Sequence, residues 1–182
     1  MGIYAHNIQT LGDLFVHGVR DIFYAENAIA KALPRMMAKA TDWDLKHVLE
    51  THLLETTRQI RRLEELCTVH GAQIRIVKCP AIDGIIKESN DITANIVDKE
   101  VLDAALIAAA RAMEHYQITR YGALTTWALR LGRPDCAAPL KENLEEEEMA
   151  DDKLAMLAQR VLDLRSATVC PPSQDETRGY GK

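Results

Sequence analysis

Residues 48–66 read VLETHLLETTRQIRRLEEL, a stretch in which helical spacing and buried polarity come together. Spacings of three and four residues place Leu45, Val48, His52, Glu55, Gln59, Leu63 and Leu66 on one face, apolar at both ends and polar in the middle. An ionised carboxylate on an inward helical face is strongly unfavourable without a cation or a shared proton. The stretch therefore predicts a bundle helix whose central layer is built for chemistry rather than for packing alone.

Three further segments repeat that pattern. Phe15, Val19, Ile22, Glu26, Ile29 and Leu33 form one stripe. Leu102, Leu106 or Ile107, Ala110, Glu114, Gln117 or Ile118, Tyr121 and Leu124 form another. Leu140, Leu144, Glu147, Asp151, Leu154, Ala158 and Val161 form the last. Four apolar stripes interrupted by acids at similar depth predict a shared metal cluster or a proton-sharing network.

Helix boundaries follow from local chemistry. Thr10 can cap the amide of Asp13, and Pro34 should kink or break the first helix before the turn Thr41-Asp42-Trp43-Asp44. The second helix is expected over residues 44–70, ending at Gly71. Helices over residues 99–131 and 135–164 follow, separated by Gly132-Arg133-Pro134-Asp135. Between the pairs runs a long connection in which Pro80 can open a short extra helix carrying Ile82, Ile85 and Ile86. Short links within each pair and a long link between them predict an all-α, ferritin-like antiparallel four-helix bundle over residues 1–165, with a loose tail over 166–182.

Composition narrows the function. The 182 residues are 47% hydrophobic and only 5% aromatic, which fits one helical domain. A net charge of −5 with scattered Lys and Arg argues against a nucleic-acid partner. Cys67, Cys79, Cys136 and Cys170 form no CxxC pair, so neither a zinc ribbon nor an internal rubredoxin-like electron donor is encoded by local spacing. No signal-peptide pattern or membrane-length apolar run is present, and a cytoplasmic location is expected.

For a hard or borderline cation, the expected ligands are Glu26, Glu55, Gln59, Glu114, Glu147 and Asp151, with Glu55 and Glu114 bridging two metal ions. Glu147 is preferred over Glu148 within the run Glu145-Glu146-Glu147-Glu148, because it shares a face with Leu144, Asp151 and Leu154. His52, Gln117 and Tyr121 are placed behind the ligands, and His115 points away from Glu114. The surplus apolar surface of the alanine-rich helices and of Ile82, Ile85 and Ile86 predicts a homodimer.

The segments FYAENAIAKALPRM, THLLETTRQIRRLEEL, AMEHYQITRYGAL and LEEEEMADDKLAMLA resemble the bacterial YciF-type stress-associated ferritin-like family, a former domain of unknown function. The resemblance spans about residues 8–165 and implies kinship with rubrerythrin and ferritin, a dimer and a di-iron or di-manganese centre. Two departures stand out. Arg58 occupies the place where Glu-x-x-His would put an imidazole, and Gln117 stands where relatives often carry Glu. The expected function is stress-related iron oxidation or peroxide handling, with O₂ or peroxide as substrate. The alternative is a structural or interaction dimer whose metal only stabilises the bundle.

Overall fold

The computed structural model describes residues 8–69 and 77–169. The expected stop at Gly71 and the part of the expected tail from residue 170 onward, with Cys170, lie outside these residues, whereas residues 166–169, read as the start of that tail, continue the last helix. Five helices make up the described chain: α1 (Leu11–Lys39), α2 (Trp43–Val69), α3 (Pro80–Thr93), α4 (Lys99–Arg130) and α5 (Pro134–Val169). The four long helices form the bundle and α3 lies in the long connection, as the spacing of links predicts.

Local chemistry sets the ends. The Thr10 hydroxyl accepts from the Asp13 amide at 3.1 Å while the Asp13 carboxylate accepts from the Thr10 amide at 2.9 Å, a reciprocal capping box. Asp42 caps α2 through the Leu45 amide and Asp98 caps α4 through the Val101 amide, both at 2.9 Å. Gly132, with φ at 68°, closes α4: the Arg133 amide reaches the Ala128 carbonyl at 2.9 Å and the Gly132 amide reaches Leu129 at 3.0 Å. The helix α1 runs unbroken through Pro34, so that residue does not divide it.

Cross-links fix the packing order. α1 runs against α4 with Glu26 beside Gln117 and Tyr121, and further along the chain Thr41 beside Asp103. α2 pairs with α5 through Gln59 to Glu146 and Arg160 to Asp44. α4 pairs with α5 through Arg111 to Asp151. In each pairing the residue numbers rise on one helix as they fall on the other, so neighbours around the ring α1, α2, α5, α4 are antiparallel.

The stripe of α1 is buried as read from the sequence: Phe15, Val19, Ile22, Glu26, Ile29 and Leu33 all face inward. On α2 Leu45, Leu49, His52, Thr56, Gln59, Leu63 and Leu66 are buried in alternating steps of four and three, with Cys67 buried beside the last of them. Val48 and Glu55, expected on that seam, are each half-buried one position off it. Thr56 can take the inner place because its hydroxyl donates to the His52 carbonyl at 2.9 Å. The same shift occurs on α5, where Asn143 and Ala150 are buried and the expected Leu144 and Asp151 are half-buried. On α3, Ile82 is fully buried and Ile85 and Ile86 half-buried, so this segment is largely consumed by its own bundle rather than left as free surface.

One buried acid of α4 carries the α1–α2 turn. Asp103 accepts from the amide of Thr41 at 2.7 Å, the amide of Asp42 at 2.9 Å and the Thr41 hydroxyl. Replacing it with alanine leaves two backbone donors in a site only 4% exposed, with an expected loss of about 2 to 4 kcal/mol. Urea unfolding tests this. Asp103→Asn, which keeps one acceptor oxygen, should recover part of the loss, and an unchanged midpoint for Asp103→Ala would mean the turn does not depend on this carboxylate.

Candidate metal centre

Glu26 from α1, His52 from α2, Glu114 and Gln117 from α4 and Glu147 from α5 meet halfway along the bundle, each no more than 3% exposed. Their burial follows from the seam positions of their helices, which are apolar on either side. The question is what neutralises three carboxylates there.

Part of the answer is protons. Burial pushes Glu26 up to about 8, and the nearby Glu147 adds to the rise; bonds from Tyr121 and Gln117 oppose it. Burial also pushes Glu114 up to about 8, with a hydrogen bond from Glu147 opposing and the charges of Glu26, Asp151 and Glu55 adding. Glu147 is raised well above its ordinary value, mainly by burial, with His52 pulling down and Glu114 pushing up. The three carboxyls lie close enough to titrate as one coupled group.

The rest is hydrogen bonding to neutral donors. The Gln117 amide nitrogen donates to both oxygens of Glu26 at 3.0 Å and to Oε1 of Glu147 at 3.0 Å. The Tyr121 hydroxyl donates to Glu26 Oε1 at 2.6 Å, and its own pKa is raised well above the ordinary phenol value, first by burial and then by Glu26. Both residues were expected behind the ligands, and here they grip one of the expected ligands directly.

His52 is handled differently. Its Nδ1 lies 2.7 Å from Glu114 Oε1, yet the oxygen is off the direction in which the ring nitrogen could donate, and its Nε2 lies 4.0 Å from Glu147 Oε2. Neither ring nitrogen has a hydrogen-bond partner, and Glu114 Oε2 is likewise unpartnered. One donor atom from each of His52, Glu114 and Glu147 lies within 4.8 Å of the others. An imidazole and two carboxylates converging in a buried site, with unpartnered atoms on His52 and Glu114, is a donor set suited to iron, manganese, cobalt or zinc. The sequence places His52 behind the ligands, and in the structure its ring lies within the group formed with Glu114 and Glu147.

The other expected ligands stand apart from this group. Glu55 is half-buried at the rim, near enough to raise Glu114. Gln59 is buried, but its amide nitrogen donates to Glu146 at 3.1 Å and its Oε1 has no partner. Asp151 accepts from Arg111 at 2.8 and 3.1 Å and lies 3.0 Å from His115 Nε2, so it carries the basic partners that the stripe reading did not give it. Those contacts, the Arg111 bonds first, hold it below its ordinary value. Within the acidic run Glu147 is buried while Glu145 and Glu148 are exposed. Glu146, not singled out from the sequence, turns to Arg62, which reaches its two oxygens at 2.8 and 3.0 Å.

An antiparallel four-helix bundle of this topology has a ferritin-like fold. The chain belongs to the family described as Domain of unknown function (DUF892), whose model matches residues 10–167. It is 39% identical over 153 residues to Protein YciF of Escherichia coli (strain K12), covering 84% of this chain and 92% of that one. The crystal structure of the E. coli stress protein YciF superposes with a TM-score of 0.82 at 37% identity, over 86% of this chain and 99% of that one. YcfI of Rhodopseudomonas palustris, for which a structural role has been suggested, matches with a TM-score of 0.81 at 49% identity, over 84% and 97% of the two chains. A two-domain protein of Anabaena variabilis with DJ-1-like and ferritin-like domains matches at 20% identity with a TM-score of 0.59, over 94% of this chain and 42% of that one, which supports the fold alone.

The raised carboxyls make stability depend on pH. Glu26 and Glu114 hold protons to about pH 8 when folded but only to about their ordinary value of 4.5 when unfolded. Between those limits the folded chain binds more protons, so stability that is complete below pH 4.5 is lost as pH rises towards 8. Asp151, held low, contributes oppositely and loses its share as pH falls. Chelator-treated protein should therefore show a falling melting temperature from about pH 5 to pH 8 by calorimetry, with a shallower fall for Glu26→Gln. Equal slopes for the two proteins would show that Glu26 is already ionised in the fold.

Proposed function

We propose that the chain is a metal-binding ferritin-like protein that holds iron or manganese through His52, Glu114 and Glu147 and uses it in stress-related iron oxidation or peroxide handling. The observation that carries this reading is the fully buried His52 ring with both nitrogens unpartnered, its Nδ1 2.7 Å from a carboxylate oxygen it is not aligned to bond. A buried imidazole without a hydrogen-bond partner is costly unless something else occupies its lone pair. A transition metal with three protein ligands keeps positions open for an oxygen ligand and supplies one-electron chemistry. Cys67, Cys79 and Cys136 form no disulfide, which agrees with a reducing, cytoplasmic setting. Among the described residues no helix is long and apolar enough to cross a membrane.

A structural reading has its own support. Arg111 to Asp151 ties α4 to α5, Arg62 to Glu146 ties α2 to α5, and protons quiet the centre, so the bundle closes without an ion. The two readings part on turnover. Purified protein titrated with Fe(II) or Mn(II) should melt higher by an amount matching about 2.7 kcal/mol at a hundredfold excess over Kd, and the iron-loaded form should consume peroxide. His52→Ala should lose most of that stabilisation. Metal-dependent stabilisation without peroxide loss supports the structural reading, and full stabilisation of His52→Ala removes His52 from the ligand set.

We also propose a homodimer. Ile85 and Ile92 of α3 with Ala105, Ala108, Ala109 and Ala112 of α4 border an open groove of about 290 Å³, and Ile92 is 51% exposed. A second copy would cover this face. Sedimentation equilibrium at micromolar concentration should report twice the 20.4 kDa chain mass, and a single-chain mass would count against it.

A further inference from the structure

Gln117 holds the least ordinary position in the centre. It is fully buried, and its single amide nitrogen faces three carboxylate oxygens of two acids from different helices, each at 3.0 Å. Its own Oε1 is buried without a partner. In this orientation the amide hydrogens face the acids and the amide oxygen faces none of them. Tyr121 adds a second neutral donor to Glu26 at 2.6 Å. Both oxygens of Glu26 are therefore engaged by these donors, while both ring nitrogens of His52 and Oε2 of Glu114 have no hydrogen-bond partner and lie in the group that includes Glu147.

We propose that Gln117 is the specificity-determining residue that limits this centre to one cation per chain. The inference rests on the metal-binding reading above and deepens it. A second cation beside the first would have to take oxygens of Glu26, and the lone pairs it needs are those that the Gln117 amide hydrogens and the Tyr121 hydroxyl now occupy. An amide offers no charge in exchange. A carboxylate at position 117 would remove the donor, free Glu26, and add the anionic ligand a second divalent ion requires. Gln117 thus divides the buried acids into a ligand half, with His52, Glu114 and Glu147, and a hydrogen-bonded half, with Glu26 and Tyr121.

Equilibrium dialysis of the metal-free protein against Mn(II), read by elemental mass spectrometry, tests this on the wild type, Gln117→Glu and Glu26→Gln, with helix content of each checked by circular dichroism. The expected result is one manganese per chain for the wild type and for Glu26→Gln, and two for Gln117→Glu. Wild type saturating at two overturns the inference while leaving the metal-binding reading intact, as does a folded Gln117→Glu that still saturates at one. If Gln117→Glu does not fold, Glu26→Gln decides. Retention of one ion supports the division of the site, and loss of the ion shows Glu26 to be a ligand and overturns it. A wild type that binds none removes the metal-binding reading itself, and the inference with it.

Discussion

The desolvation of three carboxylates in the middle of an apolar bundle is the constraint that the other polar features of the centre answer. Glu26, Glu114 and Glu147 sit on seam positions, so the helices cannot pack without burying them. A carboxyl whose pKa stands near 8 is about nine-tenths protonated at pH 7, so the centre reaches near-neutrality chiefly by keeping protons rather than by recruiting lysine or arginine. A cation held by His52, Glu114 and Glu147 would have to displace protons that the two acids keep, so its affinity would be tied to proton release. Stability without metal and affinity for metal therefore draw on the same carboxylates with opposite sign.

Around that layer the charges are sorted by whether a guanidinium can reach them. The four consecutive glutamates at 145–148 span one helical turn, so they face four directions and meet three environments. Glu147 enters the centre, Glu145 and Glu148 face water, and Glu146 meets Arg62 at the rim. Arg62 also binds the buried Asn143 Oδ1 at 2.9 Å, and Gln59 bonds Glu146, so a polar collar encloses the α2–α5 side of the centre. Burial alone would raise Glu146, but the Arg62 bond and charge outweigh it and leave it below its ordinary value. Asp151 meets the same fate on the α4 side through Arg111. These rim acids stay ionised because their partners are there, and the central acids keep protons because theirs are neutral.

The stripe on α1 was legible in full because Glu26 is flanked by large apolar residues at every inward step. On α2 and α5 the sequence settles the inward residues seven apart and leaves the one between them open, since a step of three and a step of four are nearly equivalent on a helix of 3.6 residues per turn. Between His52 and Gln59 the choice lay between Glu55 and Thr56, and a threonine that bonds its own backbone is cheaper to bury than a carboxylate. Between Glu147 and Leu154 it lay between Asp151 and Ala150, and Arg111 with His115 draws the aspartate outward. Helical spacing did not reveal that pull, because Arg111 lies forty residues away. Asp103 and Arg62 escaped notice for the same reason, while Gln117 over Ile118 was decided by the acids waiting inside.

How closely α1 and α4 approach one another also governs the centre, from a point some distance away. A Cβ at Gly18 would stand 2.9 Å from Leu124 Cδ2 and 3.4 Å from Trp127 Cζ3, and Leu124 is itself buried and has little room to yield. Because the two helices are antiparallel, moving along α1 from Gly18 to Glu26 corresponds to moving back along α4 from Leu124 to Gln117, about two turns in each case. The Gln117 amide reaches from α4 to both oxygens of Glu26 at that second level. The same two helices thus meet through a glycine and a leucine at an apolar level and through an amide and a carboxyl at the polar one, so a side chain added at Gly18 presses on the helix pair that carries the Glu26–Gln117 bond.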